Sequence, residues 1–217
     1  MRKICIQYGI EDPSFLLRQK PPSKKEFKND IETRILSFHE RELRKRATEI
    51  KRMKYFNCSL LGLSSKCHPA IKGIYTTNEV KRCRIHTKML FGDLYTYEVK
   101  SQQLGGSPHC RNCVQQNQTP ENDNTLHILT TCDALTSIRE IYLSQFEKIL
   151  QNSNLVFEEL KSDKEELCQF ILDPTSFNLR KRINFNDPIV DELFRISRNF
   201  CHSMNEKRLK LIGSRKI

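Results

Sequence analysis

The sequence predicts a mainly α-helical protein in which several amphipathic helices pack around small apolar clusters. Residues 27–56 contain no Gly or Pro, and apolar residues recur there at spacings of three or four with one interruption, as they do on one face of a helix. Hydrophobic residues make up 37% of the chain, aromatic residues make up 8%, and Trp is absent. Because large apolar side chains are few, we expect a modest core. The 217 residues suffice for one ordinary domain or two small ones.

The N-terminal part combines a proline-rich entry with a strongly charged helix. Residues 1–25 contain three prolines and are predicted to form a flexible arm. A basic helical region at 26–107 follows, and its first helix is predicted to begin after Ser23 and to continue to Phe56. Eleven Lys or Arg and six acids lie within 24–54. This charge could follow a phosphate backbone, or it could form salt bridges between residues four apart on a solvated face.

A second amphipathic helix is predicted from about Asn78, after a loop at 57–77 that contains two glycines and a proline. Thr77 is its expected N-cap. The apolar stripe of this helix consists of Val80, Cys83, Thr87, Leu90 and Leu94. The basic cluster predicted to face away from the stripe consists of Lys81, Arg82, Arg84, His86 and Lys88.

Residues 108–139 contain the cysteine and histidine spacing of a zinc site. Two residues separate Cys110 from Cys113, four separate His127 from Cys132, and a polar spacer of thirteen residues separates the two pairs. Zn²⁺ takes four thiolate or imidazole ligands in a tetrahedron, and a Cys-x-x-Cys turn offers two thiolates to one ion. The sequence therefore predicts a small Cys₂-His-Cys zinc-bearing turn with these four residues as ligands.

Two alternatives to this ligand set remain open at the level of sequence. The cysteines could be small buried apolar residues without a metal, since free Cys packs well in cores. His109, directly beside Cys110, could also replace one ligand. In the preferred arrangement all four positions are taken by protein, so the ion would stabilise the fold and would catalyse nothing. His127 and Cys132 are expected in the first turns of a helix that Thr125 caps.

A C-terminal helical region is predicted over residues 140–217. The helix after the cysteine segment should present one apolar face, made of Leu135, Ile138, Tyr142, Phe146 and Ile149. A capping box of Ser162 and Glu165 begins a short helix that ends at Asp173-Pro174. Asp187-Pro188 begins the last helix, whose apolar stripe is Ile189, Leu193, Ile196 and Phe200. Its basic residues are predicted to lie off that stripe: Arg195, Arg198, Lys207, Arg208 and Lys210.

The balance of charge favours a polyanionic partner. The chain has 37 Lys and Arg against 26 Asp and Glu, a net charge of +11, and such an excess attracts nucleic acid whatever its sequence. A merely solvated basic surface is the alternative. The nine cysteines are odd in number and scattered, and neither a signal peptide nor an apolar run of about 18 residues is present. We therefore expect a nuclear or cytoplasmic location, with no membrane partner and no small-molecule substrate.

The run from Thr76 to Arg139 resembles the C-terminal zinc-binding, zinc-knuckle-like region of the non-LTR retrotransposon polyproteins of invertebrates, which carry an endonuclease and a reverse transcriptase. In that family an arginine-containing helix, a tight turn, a Cys-x-x-Cys pair, a His-x4-Cys pair and a nearby Arg follow the polymerase. The resemblance implies that the same four residues bind Zn²⁺. It also implies a role in gripping template RNA or target DNA.

Basic residues are the candidates for such contacts, because Lys and Arg bind phosphate oxygens and fix a protein on the backbone. For Arg139 a helix cap or ion pair is the equal alternative. Contacts to phosphate should predominate, because the chain offers few aromatic side chains on which bases could stack. The candidate nucleic-acid-binding residues are Arg44, Lys45, Arg46, Lys51, Arg52, Lys81, Arg82, Arg84, Lys88, Arg111 and Arg139.

No catalytic residues are predicted. A reverse transcriptase needs a paired Asp-Asp turn to hold two Mg²⁺ ions, and this chain contains no Asp-Asp. The His-x-Glu of zinc deaminases is also missing. We therefore expect a zinc-stabilised nucleic-acid-binding tail without enzymatic activity, detached from its polymerase. The alternatives are a zinc-stabilised helical module for protein interaction, or a functionless remnant of an element.

Overall fold

The structure is mainly helical, as predicted. The computed structural model of the chain describes residues 8–9, 23–50, 53–58, 68–116, 119–151, 157–176 and 187–213. The described residues form no β-strand, and one isolated antiparallel bridge joins His109 to Asn122. Among them, no helix has both the length and the apolar character needed to cross a membrane. The chain divides into two compact units, residues 1–50 with 58–66 and residues 51–57 with 67–217.

The first unit contains helix α1, Lys24–Glu49. Ser23 begins it with a capping box, in which the Ser23 Oγ accepts from the Glu26 N–H and the Glu26 carboxylate accepts from the Ser23 N–H. The predicted start is confirmed, but the predicted continuation to Phe56 is wrong, because the helix ends at Glu49. The Phe56 side chain is buried within the second unit, and tertiary packing there overrides the helical pattern. Most of the predicted flexible arm lies outside the described residues, and its last two residues, Lys24 and Lys25, belong to α1.

The second unit holds the cysteine segment and the C-terminal helices. Its helices are α2 (Thr77–Leu90), α3 (Tyr97–Leu104), α4 (Arg111–Gln115), α5 (Thr136–Leu150), α6 (Phe157–Ser162), α7 (Lys164–Leu172) and α8 (Asp187–Gly213). Short turns of 3₁₀-helix lie at Pro69–Ile71 and Asp133–Leu135, and a π-helical turn lies at His127–Thr131. Helix α8 is the central element, since α2 and α5 both pack along it.

Aromatic side chains form the centre of the core where α5, α7 and α8 meet. The ring of Phe146 meets that of Phe170 edge-on at 5.3 Å, and the ring of Tyr142 stacks on that of Phe200 at 5.2 Å. Phe146, Phe170 and Phe200 are fully buried. In the predicted stripe of α8, Leu193, Ile196 and Phe200 are buried and Ile189 is half-buried.

Two predicted helix caps are wrong by one residue. Thr76, not Thr77, caps α2, and it forms a capping box with Glu79. Asp163, not Ser162, caps α7, and its carboxylate accepts from two backbone N–H groups. Asp173 follows the last residue of α7, as predicted.

The predicted faces of α2 also need correction. Cys83 and Leu90 are buried as expected, but the Val80 side chain is 54% exposed. His86, predicted to lie in the basic cluster, is fully buried. Its Nε2–H donates to the Leu172 carbonyl at 2.9 Å, which compensates for the loss of water at that nitrogen, whereas the buried Nδ1 has no hydrogen-bond partner among the described residues.

Burial keeps His86 neutral. The pKa of its imidazole is lowered to about 4, chiefly because burial disfavours the charged form, and the nearby Arg198 and His68 act in the same direction. An unfolded chain protonates this imidazole at pH values below about 6.5. Between those two pH values the unfolded state therefore binds the proton more tightly than the folded state does. As a result, the free energy of unfolding decreases as the pH falls.

The variant His86→Gln should reduce this pH dependence, because Gln can donate to the Leu172 carbonyl and cannot titrate. We expect the wild-type free energy of unfolding to decrease by about 2 kcal/mol more than that of the variant between pH 7 and pH 5. Urea unfolding at both pH values measures this difference, and both proteins share the remaining titratable groups. Equal pH dependence in the two proteins would contradict the conclusion that burial keeps the His86 imidazole neutral.

Candidate metal centre

Four side chains predicted as ligands converge in the second unit. Cys110, Cys113, His127 and Cys132 are all buried, and one ligand atom from each lies within 4.8 Å of the others. The two Sγ atoms of Cys110 and Cys132 are 4.0 Å apart, and the Cys113 Sγ lies 3.4 Å from the His127 Nε2. Ligand atoms about 2.0–2.3 Å from a tetrahedral ion are roughly 3.3–3.8 Å from one another. The cluster could therefore hold a metal ion.

The start of α4 brings the first two ligands together. Cys110 is the N-cap residue, and its carbonyl accepts from the Val114 N–H at 3.1 Å. Cys113 follows in the first turn. Residues three apart lie on the same side of a helix, so both thiols point to the same place.

The other two ligands depend on a π-helical turn. Cys132 directly follows this turn, and its N–H donates to the His127 carbonyl at 2.9 Å. In an α-helix, residues five apart point in directions about 140° apart. The wider i→i+5 turn brings His127 and Cys132 closer to the same side of the chain. The predicted cap at Thr125 is also wrong, because the Asn124 side chain accepts from the His127 N–H at 2.9 Å.

Backbone bonds close the spacer between the two ligand pairs. The Cys110 N–H donates to the Glu121 carbonyl at 2.9 Å, and the Asp123 N–H donates to the Pro108 carbonyl at the same distance. These bonds flank the bridge between His109 and Asn122. They bring residues 121–123 back to the side of Cys110, and His127 follows four residues after Asp123.

The imidazole of His127 is oriented for metal binding through Nε2. Its Nδ1 lies 2.7 Å from the Glu121 carboxylate and 2.8 Å from the Thr131 hydroxyl. That hydroxyl also donates to the Glu121 carboxylate, at 2.6 Å. A carboxylate that accepts from Nδ1–H fixes the tautomer in which Nε2 is free to bind a metal.

The titration of these groups reflects their proximity. Hydrogen bonds from Thr131 and His127 lower the pKa of Glu121. Burial opposes protonation of His127, but its hydrogen bonds and the negative charges of Cys110 and Glu121 outweigh burial and raise its pKa.

The three thiols compete for one negative charge. A hydrogen bond from Cys132 lowers the pKa of Cys110 to about 3. Burial and the neighbouring Cys110 charge raise the pKa of Cys113 to about 11, and the bond to Cys110, with burial, raises that of Cys132. A divalent cation among these sulfur atoms would stabilise all three as thiolates.

Arg139 reinforces the segment that carries His127 and Cys132. This residue of α5 is buried, with its side chain turned towards the π-helical turn. Its Nε donates to the Leu129 carbonyl at 3.0 Å, and its Nη2 donates to the Cys132 carbonyl at 2.7 Å. The geometry favours the capping alternative for Arg139 over a contact to phosphate.

His109 does not join the cluster. It is half-buried beside Cys110, and the group of ligand atoms found among the described residues excludes it. The alternative in which His109 replaces a ligand is therefore not supported.

The remaining basic candidates are distributed over both units. In the first unit Lys45 and Arg46 are exposed on α1, and Arg44 pairs with Glu40 at 3.7 Å. Lys51 and Arg52 lie outside the described residues.

In the second unit Lys81, Arg82 and Arg84 are exposed on α2, and Lys88 is half-buried. Because Lys81, Arg84 and Lys88 are three and four residues apart, they form one stripe along the helix. Arg111 is exposed, and its guanidinium lies 4.9 Å from the centre of the Tyr97 ring.

An ion pair that sequence reasoning missed joins α8 to the spacer. Arg208 and Asp123 are both buried, and the Arg208 guanidinium donates to both carboxylate oxygens of Asp123. Asp123 also accepts from the Tyr97 N–H at 2.7 Å, at the start of α3. Arg208 was predicted to lie off the stripe of α8, yet it continues the buried series Phe200 and Met204 at a spacing of four. That spacing is the signal that could have identified it.

Comparison of the chain with protein-family models, curated proteins and solved structures finds no match.

The variant Arg139→Met should destabilise the second unit, because the Leu129 and Cys132 carbonyls each lose a charged donor, although the Cys132 carbonyl still accepts from the Leu135 N–H. A hydrogen bond from a charged group contributes about 1.5–3 kcal/mol, so we expect a loss of about 2 kcal/mol or more in urea unfolding. Lys148→Met, at an exposed position on the same helix, is the matched control and should change stability by less than about 0.5 kcal/mol. Equal stability of the two variants would contradict the structural role of Arg139.

Proposed function

We propose that this chain is a non-catalytic module, stabilised by zinc, that binds RNA or DNA through the phosphate backbone. The observation that carries the proposal is the convergence of Cys110, Cys113, His127 and Cys132 on one buried point. The resemblance to the C-terminal region of non-LTR retrotransposon polyproteins suggests the nucleic-acid partner.

The donor set supports zinc. Three sulfur atoms and one imidazole nitrogen suit Zn²⁺, whereas Mg²⁺ and Ca²⁺ require oxygen ligands. With four protein ligands no position remains for a substrate or a reactive water, so the ion has a structural role. It would join the start of α4 to the π-helical turn, and its binding energy would contribute to folding.

The stripe on α2 supports binding to a polyanion. Lys81 and Arg84 are exposed on the side opposite to the buried face that includes Cys83 and His86. The only acid of this helix is Glu79, whose carboxylate accepts from the Tyr75 and Thr76 N–H groups in the capping box. The exposed charge of α2 is therefore strongly positive, and phosphate contacts would be sensitive to salt.

Metal analysis of the purified protein tests the zinc site. We expect one zinc per chain, and loss of that zinc in a Cys110→Ser/Cys113→Ser double variant. Hydrogen exchange should then accelerate across residues 108–139, because the two ligand pairs are no longer joined.

The variant Cys83→Ser is the control for loss of a buried thiol. Cys83 lies outside the cluster, and its Sγ is 3.8 Å from the Ala70 carbonyl and 3.7 Å from the Thr87 hydroxyl, so a serine hydroxyl there would have partners. This variant should retain zinc. A wild-type protein without zinc, and with exchange unchanged by the double variant, would contradict the proposal.

The salt dependence of binding tests the nucleic-acid face. On duplex DNA each lost phosphate contact reduces the slope of log affinity against log salt by about 0.9. A Lys81→Gln/Arg84→Gln double variant should therefore bind more weakly, with a slope reduced by roughly 2. Fluorescence anisotropy at several salt concentrations measures both quantities.

A Lys148→Gln/Lys207→Gln double variant is the control, because it removes the same charge from exposed positions on α5 and α8. It should leave the slope unchanged. Equal effects of the two double variants would indicate a diffuse basic surface. If zinc-loaded protein binds no nucleic acid at low salt, the alternative of a protein-interaction module is favoured.

A further inference from the structure

Tyr75 presents its aromatic ring to solvent just before the start of α2, the helix that carries the basic stripe. Its side chain is 90% exposed, more than any other large apolar side chain in the described part of the chain. The ring is accessible to a partner, and it offers a flat apolar face together with a polar hydroxyl. Ile71 and Val80 are also about half exposed, at 48% and 54%.

The backbone of Tyr75 is fixed relative to the helix. Its N–H donates to the Glu79 carboxylate at 3.0 Å, and the Thr76 N–H donates to the same oxygen at 2.8 Å. The Thr76 hydroxyl in turn accepts from the Glu79 N–H. A tyrosine ring has only two side-chain torsions, so a fixed backbone leaves little freedom to lose on binding.

The register of the capping box places the ring next to the cations. Tyr75 immediately precedes the N-cap, and a residue at that position lies near the fourth residue of the helix, which is Val80. Arg84 is one turn further along from Val80, and Lys81 is its neighbour. A flat apolar surface and the basic stripe thus share one side of α2.

Charge and shape together identify the chemistry of the partner. The cations require a polyanion, and the exposed ring requires a flat apolar face. In a nucleic-acid duplex the base faces are covered by their neighbours, and only phosphates and groove edges are offered. Unpaired bases instead stack on aromatic side chains while their phosphates pair with Lys and Arg.

We propose that Tyr75 is a stacking platform for an unpaired base, and that Lys81 and Arg84 bind the adjoining phosphates. The preferred ligand is then single-stranded nucleic acid. This inference rests on the proposed function and names its substrate class. It departs from the expectation that the chain lacks an aromatic platform. From Lys81 to Lys88 the stripe is about 10 Å long.

The absence of Trp from the sequence allows a direct optical test. The variant Tyr75→Trp carries a single tryptophan at the proposed platform. Stacking of a base on that indole should quench its fluorescence when a 12-nucleotide oligo(dT) or oligo(U) is added. Tyr95→Trp is the matched control, because Tyr95 is also a solvent-facing tyrosine, at 55% exposed, but lies outside the stripe. Its emission should not change.

Affinity measurements separate stacking from charge. The variant Tyr75→Ala loses one base–aromatic stack. Its affinity for the same oligonucleotides should therefore be about 5- to 150-fold lower than that of the wild type. The salt slope should stay unchanged, because no phosphate contact is removed. Tyr75→Phe should retain wild-type affinity, and Tyr95→Ala should have no effect. Binding to a duplex of equal length should not respond to Tyr75→Ala. Circular dichroism should confirm that each variant is folded.

The outcomes distinguish the two proposals. If Tyr75→Ala binds single strands as wild type does and Tyr75→Trp is not quenched, the stacking platform is overturned while salt-dependent binding to phosphates stands. If zinc-loaded protein binds neither single strands nor duplex at low salt, both proposals fail, and the exposed ring then marks a protein contact.

Discussion

Four ligand atoms from two separate turns must meet at one point, and the polar bonds of the surrounding segment serve this convergence. Cys113 and His127 are 14 residues apart in sequence, yet their ligand atoms lie 3.4 Å apart. The two backbone bonds at Cys110 and Asp123 return the spacer to its start. The π-helical turn then brings Cys132 towards His127. If either the backbone bonds of the spacer or the π-helical turn were missing, the four side chains would not meet at one point.

Buried arginines of α5 and α8 stabilise the segment that carries the four candidate ligands. Arg139 of α5 donates to the carbonyls of Leu129 and Cys132, and Arg208 of α8 pairs with Asp123. A buried charge is costly unless it is paired or fully hydrogen-bonded. These contacts therefore also specify one geometry, because any other position of the turn would leave a guanidinium or a carboxylate without its partner.

The fold class and the Cys/His cluster were predictable because both depend on local spacing. Apolar residues three or four apart indicate helices, and Cys-x-x-Cys with His-x4-Cys indicates a candidate metal site, without knowledge of distant contacts. Cap positions were less accessible: Thr76 and Thr77 can both accept from backbone N–H groups, and only the backbone conformation decides which of them does.

Burial of polar residues was the least predictable feature. The partner of His86 is the Leu172 carbonyl, 86 residues away in sequence, and that of Arg208 is Asp123, 85 residues away. Polarity alone assigns both side chains to the surface. The end of α1 at Glu49 has a similar cause, since the following aromatic residues belong to the core of the other unit.

Helix α8 connects the candidate metal centre with α2, the helix that carries the proposed binding surface. Near its C-terminal end Arg208 is tied to Asp123, four residues before His127, and elsewhere along its length α8 packs against α2. In the proposed function, α2 carries the cations and its preceding residue carries the aromatic ring. Fixing the ligand segment would therefore fix the support on which α2 rests. In the proposed function the metal would serve binding indirectly, because a binding surface made of one helix face is only as well positioned as the helix behind it.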